Sequence, residues 1–169
     1  PLNTMPYRIY LIGLVISWLT ILSVNCHAQK SEVDSISALV DSLIYSSQYE
    51  EAQRITLLYI DRDDLNPKEW FALHMDYAEV IRSSGRPRKA IRAFETILEQ
   101  MPEMENEALY KSRVYLSIGG CYFDIPNYTL AADYAQKSIA LSPDTTLIST
   151  GHAVNFLILG YVDFLKGNY

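Results

Sequence analysis

His74, His152, Cys26, Cys121, the run Asp61-Arg62-Asp63-Asp64 and the cluster Arg82, Arg86, Arg88, Lys89 and Arg92 are the side chains whose types could carry chemistry in this sequence. A metal needs several His, Cys or carboxylate ligands brought to one point. His74 and His152 stand far apart, with no partner at ligand spacing, and read as interface or surface histidines. Asp61–Asp64 lacks the glycine and the distal Glu of a calcium loop and reads as a solvated turn. No His-Glu-x-x-His, Cys-x-x-Cys, Gly-x-Ser-x-Gly or Gly-rich phosphate loop occurs. Gly119-Gly120 reads as a helix-packing pair. No catalytic residue, cofactor or metal is expected, and the chain reads as a non-enzyme.

The cations are harder to set aside. Five lie within the eleven residues 82–92, around the start of an expected helix, where the macrodipole already places positive charge. One reading is a solvated turn neutralised by Glu95 or Glu99. The other is a patch for an acidic peptide or partner domain.

The elements that position these residues follow from composition and period. The chain has 169 residues, 49% of them hydrophobic and 20% charged, which is the balance of a globular protein rather than a disordered one. Its formal charge of -6 excludes an overall basic field that would draw it to nucleic acid. Ile36, Leu39, Val40 and Leu43 recur at three- and four-residue intervals, as do Trp70, Leu73, Tyr77 and Ile81, so each set builds an apolar helical face. Asn66-Pro67-Lys68-Glu69 predicts a capped helix start, and Ser83-Ser84-Gly85 a helix stop. No clean strand alternation appears. The fold class is all-α.

Residues 1–28 differ from the rest. Their only charged side chain is Arg8, and Ile9–Val24 is apolar apart from Gly, Ser and Thr. With Cys26 and Ala28 as small residues before a cut, this reads as a signal peptide. Lipidation at Cys26 and retention of residues 9–24 as a membrane anchor stay open. In each case residues 29–169 are expected outside the cytoplasm, periplasmic or membrane-anchored. Cleavage would remove one Arg and no acid, and leave Cys121 as the single thiol, in a helix-interface context that suits a buried one.

The remainder repeats. Tyr115-Leu116-Ser117-Ile118-Gly119-Gly120-Cys121-Tyr122 precedes a turn at Ile125-Pro126-Asn127-Tyr128, then Ala131, Ala132, Tyr134, Ala135, Ser138 and Pro143. Related patterns run through Ile36–Ala52, Ala72–Pro102 and Phe156–Tyr169, with Ala52, Ala90 and Ala131 at matching places. These residues resemble the tetratricopeptide repeat. The resemblance implies a TPR-like α-solenoid of antiparallel hairpins over about 33–67, 68–104, 112–145 and a truncated fourth copy at 153–169. The alanines, with Gly119 and Gly160 opposite, would mark the close approach of paired helices.

The resemblance also implies a peptide groove along the first helix of each copy. Carried over by position, it would show Ala72, Met75, Glu79 and Arg82, then Arg113, Leu116, Gly120 and Phe123, then Val154, Leu157, Tyr161 and Phe164. The Lys/Asn set that clamps a C-terminal carboxylate in chaperone-binding relatives is replaced by Met75 and Glu79. An amphipathic helix or an extended peptide is the expected occupant. The function expected is a protein-binding scaffold, the sensing part of an exported signalling protein whose output would follow Tyr169. The alternative is a complete periplasmic assembly factor. Self-association through the open fourth repeat is expected as well, with no nucleic acid bound and no membrane contact except through residues 9–24.

Overall fold

A computed structural model of the chain describes residues 32–141 and 150–167; the signal or anchor reading of residues 1–28 lies outside them. The chain divides into two units at Ser35 and Ile36. Of the first, only residues 32–35 are described, within the opening turn of a helix. Among the described residues there are helices and no strand, as the periodicities require. They are α1 (Glu32–Tyr45), α2 (Tyr49–Tyr59), α3 (Pro67–Ser83), α4 (Pro87–Gln100), α5 (Glu107–Asp124), α6 (Tyr128–Leu141) and α7 (Thr150–Leu165).

In the second unit, each helix from α2 onward packs on its successor, and α3–α5 and α5–α7 also touch. Helix α3 therefore has neighbours on several sides. It buries Phe71, Leu73, Met75, Ala78, Val80 and Ile81, a wider surface than the single face its period suggests. Its start is capped as expected. The Asn66 side chain accepts from the Lys68 and Glu69 amides at 3.0 and 3.1 Å, and Glu69 accepts from the Asn66 amide at 3.2 Å.

One helix stop recurs. The amides of Gln48, Arg86 and Asn127 reach back to the carbonyls of Leu43, Ile81 and Tyr122 at 2.8, 3.2 and 2.9 Å. This is the outer hydrogen bond of a Schellman-type cap, which satisfies a carbonyl that the helix end would orphan. Ser47 and Gly85 sit just before it with φ of 60° and 78°. Four residues past each stop-donor comes a fully buried alanine whose amide opens the next helix: Ala52, Ala90 and Ala131. The sequence spacing of these alanines is thus the spacing of a repeated backbone event. Gly167 (φ 74°), with its amide on the Phe164 carbonyl, begins the same stop after α7.

The alanines admit a second helix. A Cβ on Gly119 would lie 3.3 Å from the Ala131 carbonyl oxygen and 3.5 Å from the Ala135 amide nitrogen, so α5 and α6 approach backbone to backbone. Gly160 departs from the expectation. Nothing lies within 4 Å of a Cβ placed there, because no described helix covers that side of α7. The main core gathers Phe71, Ile81, Phe94, Ile97, Val114, Ile118 and Cys121 from α3, α4 and α5.

Gly119→Val should cost about 1–3 kcal/mol through overpacking, whereas Gly160→Ala should be neutral or stabilise by about 0.5–1 kcal/mol through helix propensity. Urea denaturation of the two variants distinguishes them. Equal losses would refute the contact assignment.

Candidate functional site

His74, Cys121 and the acidic turn resolve into local contacts. His74 stacks on Trp70 with ring centroids 3.8 Å apart, and its Nδ1–H donates to the Trp70 carbonyl at 2.8 Å. Burial lowers its pKa, so the ring stays neutral near pH 7. The side chain of His152 lies outside the described residues. Arg62 pairs with Asp64 at 2.7 Å across the acidic turn. Burial pushes the Cys121 thiol up to about 12, which removes thiolate character. Among the described residues no group of three or more His, Cys, Asp or Glu could hold a metal ion.

What the fold does assemble is a polar rib across α1, α3 and α5. Ser37 of α1 donates to Asp76 Oδ2 of α3 at 2.5 Å. One turn on, Glu79 accepts from Ser117 Oγ of α5 at 2.6 Å. Arg82 ends the rib, its Nε donating to Asp124 Oδ2 at 2.8 Å and its Nη1 lying 3.6 Å from Glu79. A Cβ on Gly120 would come within 2.7 Å of the Arg82 guanidinium, so the bare backbone of Gly120 is the floor on which that side chain lies. Asp76, Glu79 and Arg82 recur every three residues along α3; Glu79 and Arg82 are copy-two positions read from the sequence, and Asp76 stands where that reading had Met75. The i, i+3 polar spacing was the available signal. Ser37, Ser117 and Asp124 could be found only once the helices were docked.

Asp76 is the unusual group. Desolvation raises its carboxyl from 3.8 to about 6; the Ser37 hydroxyl opposes this, Asp41 and Glu79 add to it, and Arg113 offsets part. The rib is thus a half-buried acidic track held between two arginines.

The groove residues expected from the sequence divide accordingly. Met75 is buried in the main core rather than facing solvent. Glu79, Arg82 and Gly120 come together in the rib. Arg113 is exposed, its guanidinium 5.3 Å from the centre of the Phe71 ring. Leu116 is half-buried. Phe123 meets Tyr161 edge-on at 5.2 Å, and Tyr128 touches both at 5.6 and 5.5 Å. Leu157 and Phe164 are 66% and 63% exposed, and Val154 is also on the surface.

The basic cluster splits. Arg82 turns to Asp124 and Glu79, while Arg86, Arg88, Lys89 and Arg92 stay exposed around the first turns of α4. Among the described residues neither Glu95 nor Glu99 forms an ion pair with them. A buried polar trio, Ser112, Ser138 and Asn155, ties α5, α6 and α7 together, with hydrogen bonds of 2.9 Å from Ser112 Oγ to the Ser138 carbonyl and from Asn155 Nδ2 to Ser138 Oγ. Among the described residues no helix is long and apolar enough to cross a membrane. Compared with known proteins, the chain matches no family model and no curated protein.

Asp76 supplies a pH test. Its folded pKa lies above the unfolded one, so its contribution is fully present below about pH 4 and is lost as pH rises through about 6. Asp76→Asn keeps an acceptor for Ser37 and carries no charge. It should be more stable than the wild type by about 1–3 kcal/mol at pH 8, with the gap closing towards pH 4. Parallel urea-stability profiles across that range would refute the assignment.

Proposed function

We propose that the chain is a protein-binding module: a TPR-like α-solenoid that takes a peptide or partner segment along the face shared by α1, α3, α5 and α7. The observation that carries this reading is the rib itself. Its hydrogen bonds join helices far apart in sequence and leave carboxylate and guanidinium edges at the surface, which supports recognition by a pre-organised face. On this reading the aromatic group Phe123, Tyr128 and Tyr161, with exposed Leu157 and Phe164, supplies the apolar wall of that face. A peptide with a polar end over the rib and an apolar end over α7 suits both.

The export reading of residues 1–28 belongs to the same proposal and makes the module extracytoplasmic, the sensing region of a signalling protein. The exposed apolar side chains of α7 support self-association as a further property.

A photo-crosslinking residue placed at Arg113 or at Leu157 should trap a discrete partner in cells, and one at Arg54 on α2 should not. Glu79→Lys should reduce the trapped product roughly tenfold, as loss of an interface hot spot does. Equal trapping from Arg54, or indifference to Glu79→Lys, would overturn the proposal. Sedimentation should show concentration-dependent association that Leu157→Lys/Phe164→Lys abolishes; a monomer at every concentration would exclude self-association.

A further inference from the structure

A second surface, made by the opposite helix of the hairpin and by two turns, has charge without a counterpart. Arg86, Arg88, Lys89 and Arg92 fall within one short stretch spanning the α3–α4 turn and the first turns of α4. Helix α4 has no acid in its first turn, and its N-cap Arg86 makes no side-chain cap. Four cations therefore crowd a helix end that already carries about half a positive charge. Their companion Arg82 has been drawn away to Asp124. Arg86 bonds to neutral acceptors, Ser84 Oγ at 2.8 Å and Gln53 Oε1 at 3.0 Å. Arg88, Lys89 and Arg92 are exposed and unpaired among the described residues.

These cations surround a depression. One part, of about 380 Å³, lies between the start of α4 and Ile125 of the α5–α6 turn. A second, of about 430 Å³, continues past Ile91, Tyr122 and Asn127, and the two share Arg88, Arg92 and Ile125. The result is a trough with a basic rim and an apolar floor, and Glu95 is its one carboxylate.

We propose that this trough binds an acidic peptide segment of a partner protein, one in which Asp or Glu residues flank a single aliphatic side chain. Carboxylates would take the guanidinium forks of Arg88 and Arg92, which suit planar two-point pairing. The aliphatic side chain would rest on Ile91, Tyr122 and Ile125. Charge complementarity is local. The whole chain carries a formal charge of -6, so an extended polyanion such as nucleic acid would run past the patch and come within the screening distance of about 8 Å of acidic surface, while a short acidic peptide meets mainly the cations. The trough is separate from the α1–α3–α5 rib. Either surface can exist without the other.

The test uses the full chain and a fluorescein-labelled decapeptide of Glu and Asp around one Leu, followed by anisotropy. Saturable binding is expected, weaker at high salt, and absent for the same peptide with Gln and Asn in place of the acids. Arg88→Glu/Arg92→Glu should weaken it at least about tenfold, and Arg88→Gln/Arg92→Gln by less. Lys68→Glu, exposed at the start of α3 and on neither surface, should leave it unchanged. Far-ultraviolet circular dichroism identical to the wild type establishes that the exposed substitutions leave the fold intact. The proposal is overturned by failure of the peptide to bind or by indifference to the Arg88/Arg92 reversal. Tighter binding of a ten-nucleotide single strand or of anionic lipid vesicles through the same residues overturns it equally.

Discussion

The backbone contact between paired helices is the constraint from which the other features descend. Gly119 against Ala131 and Ala135 brings α5 and α6 closer than any larger side chain would allow. Close approach commits the turn between them to be short. A short turn needs its last carbonyls satisfied locally, and the same backward hydrogen bond does this at Gln48, Arg86 and Asn127. Pro126, which lacks an N–H, leaves only that outer bond available, and it is kept. Hairpins closed in this way set the position of each following helix. The long-range polar pairs of α1, α3 and α5 are therefore consequences of turn geometry several residues away.

Charge is distributed by competition for a few acids. Asp124 and Glu79 hold Arg82, and by doing so they separate it from its sequence neighbours. The four cations left at the start of α4, Arg86 in the turn and three on the helix, then face a depression instead of a salt-bridge network. Gly120 makes the division possible, because a side chain there would collide with the Arg82 guanidinium and turn it outward. A glycine that reads in the sequence as one half of a packing pair is thus the floor under an ion pair. Its neighbour Gly119 alone carries the helix contact.

The tyrosines do related work. Tyr134 lies between Tyr122, stacked at 5.5 Å, and Tyr115 at 5.9 Å, with the Lys137 ammonium 4.4 Å from the centre of its ring. A second group of Phe123, Tyr128 and Tyr161 joins the α5–α6 turn to α7. Rings bury large area and place their polar edge at the surface, so they bridge successive helices without charge. Tyr110, Tyr115, Tyr122, Tyr128, Tyr134 and Tyr161 have that physical use, whereas Tyr45 is almost fully exposed.

The local order was legible in the residues. Apolar spacing announced helices, Asn66 and Glu69 announced a cap, Gly85 a stop, and Ala52, Ala90 and Ala131 the recurring point where each second helix begins. Those signals are short-range, because caps, turns and helical faces are decided within a few residues. Which charges pair was not legible. Arg82 reads as one of five cations until docking puts Asp124 beside it, and Met75 reads as a surface position until α4 and α5 enclose α3. Asp76 shares a face with Ser37 only because a hairpin lies between them. The sequence by itself determined an all-α chain with repeated turns. Tertiary structure alone decided which polar groups lose water and which remain for a partner, since desolvation depends on what packs from elsewhere in the chain.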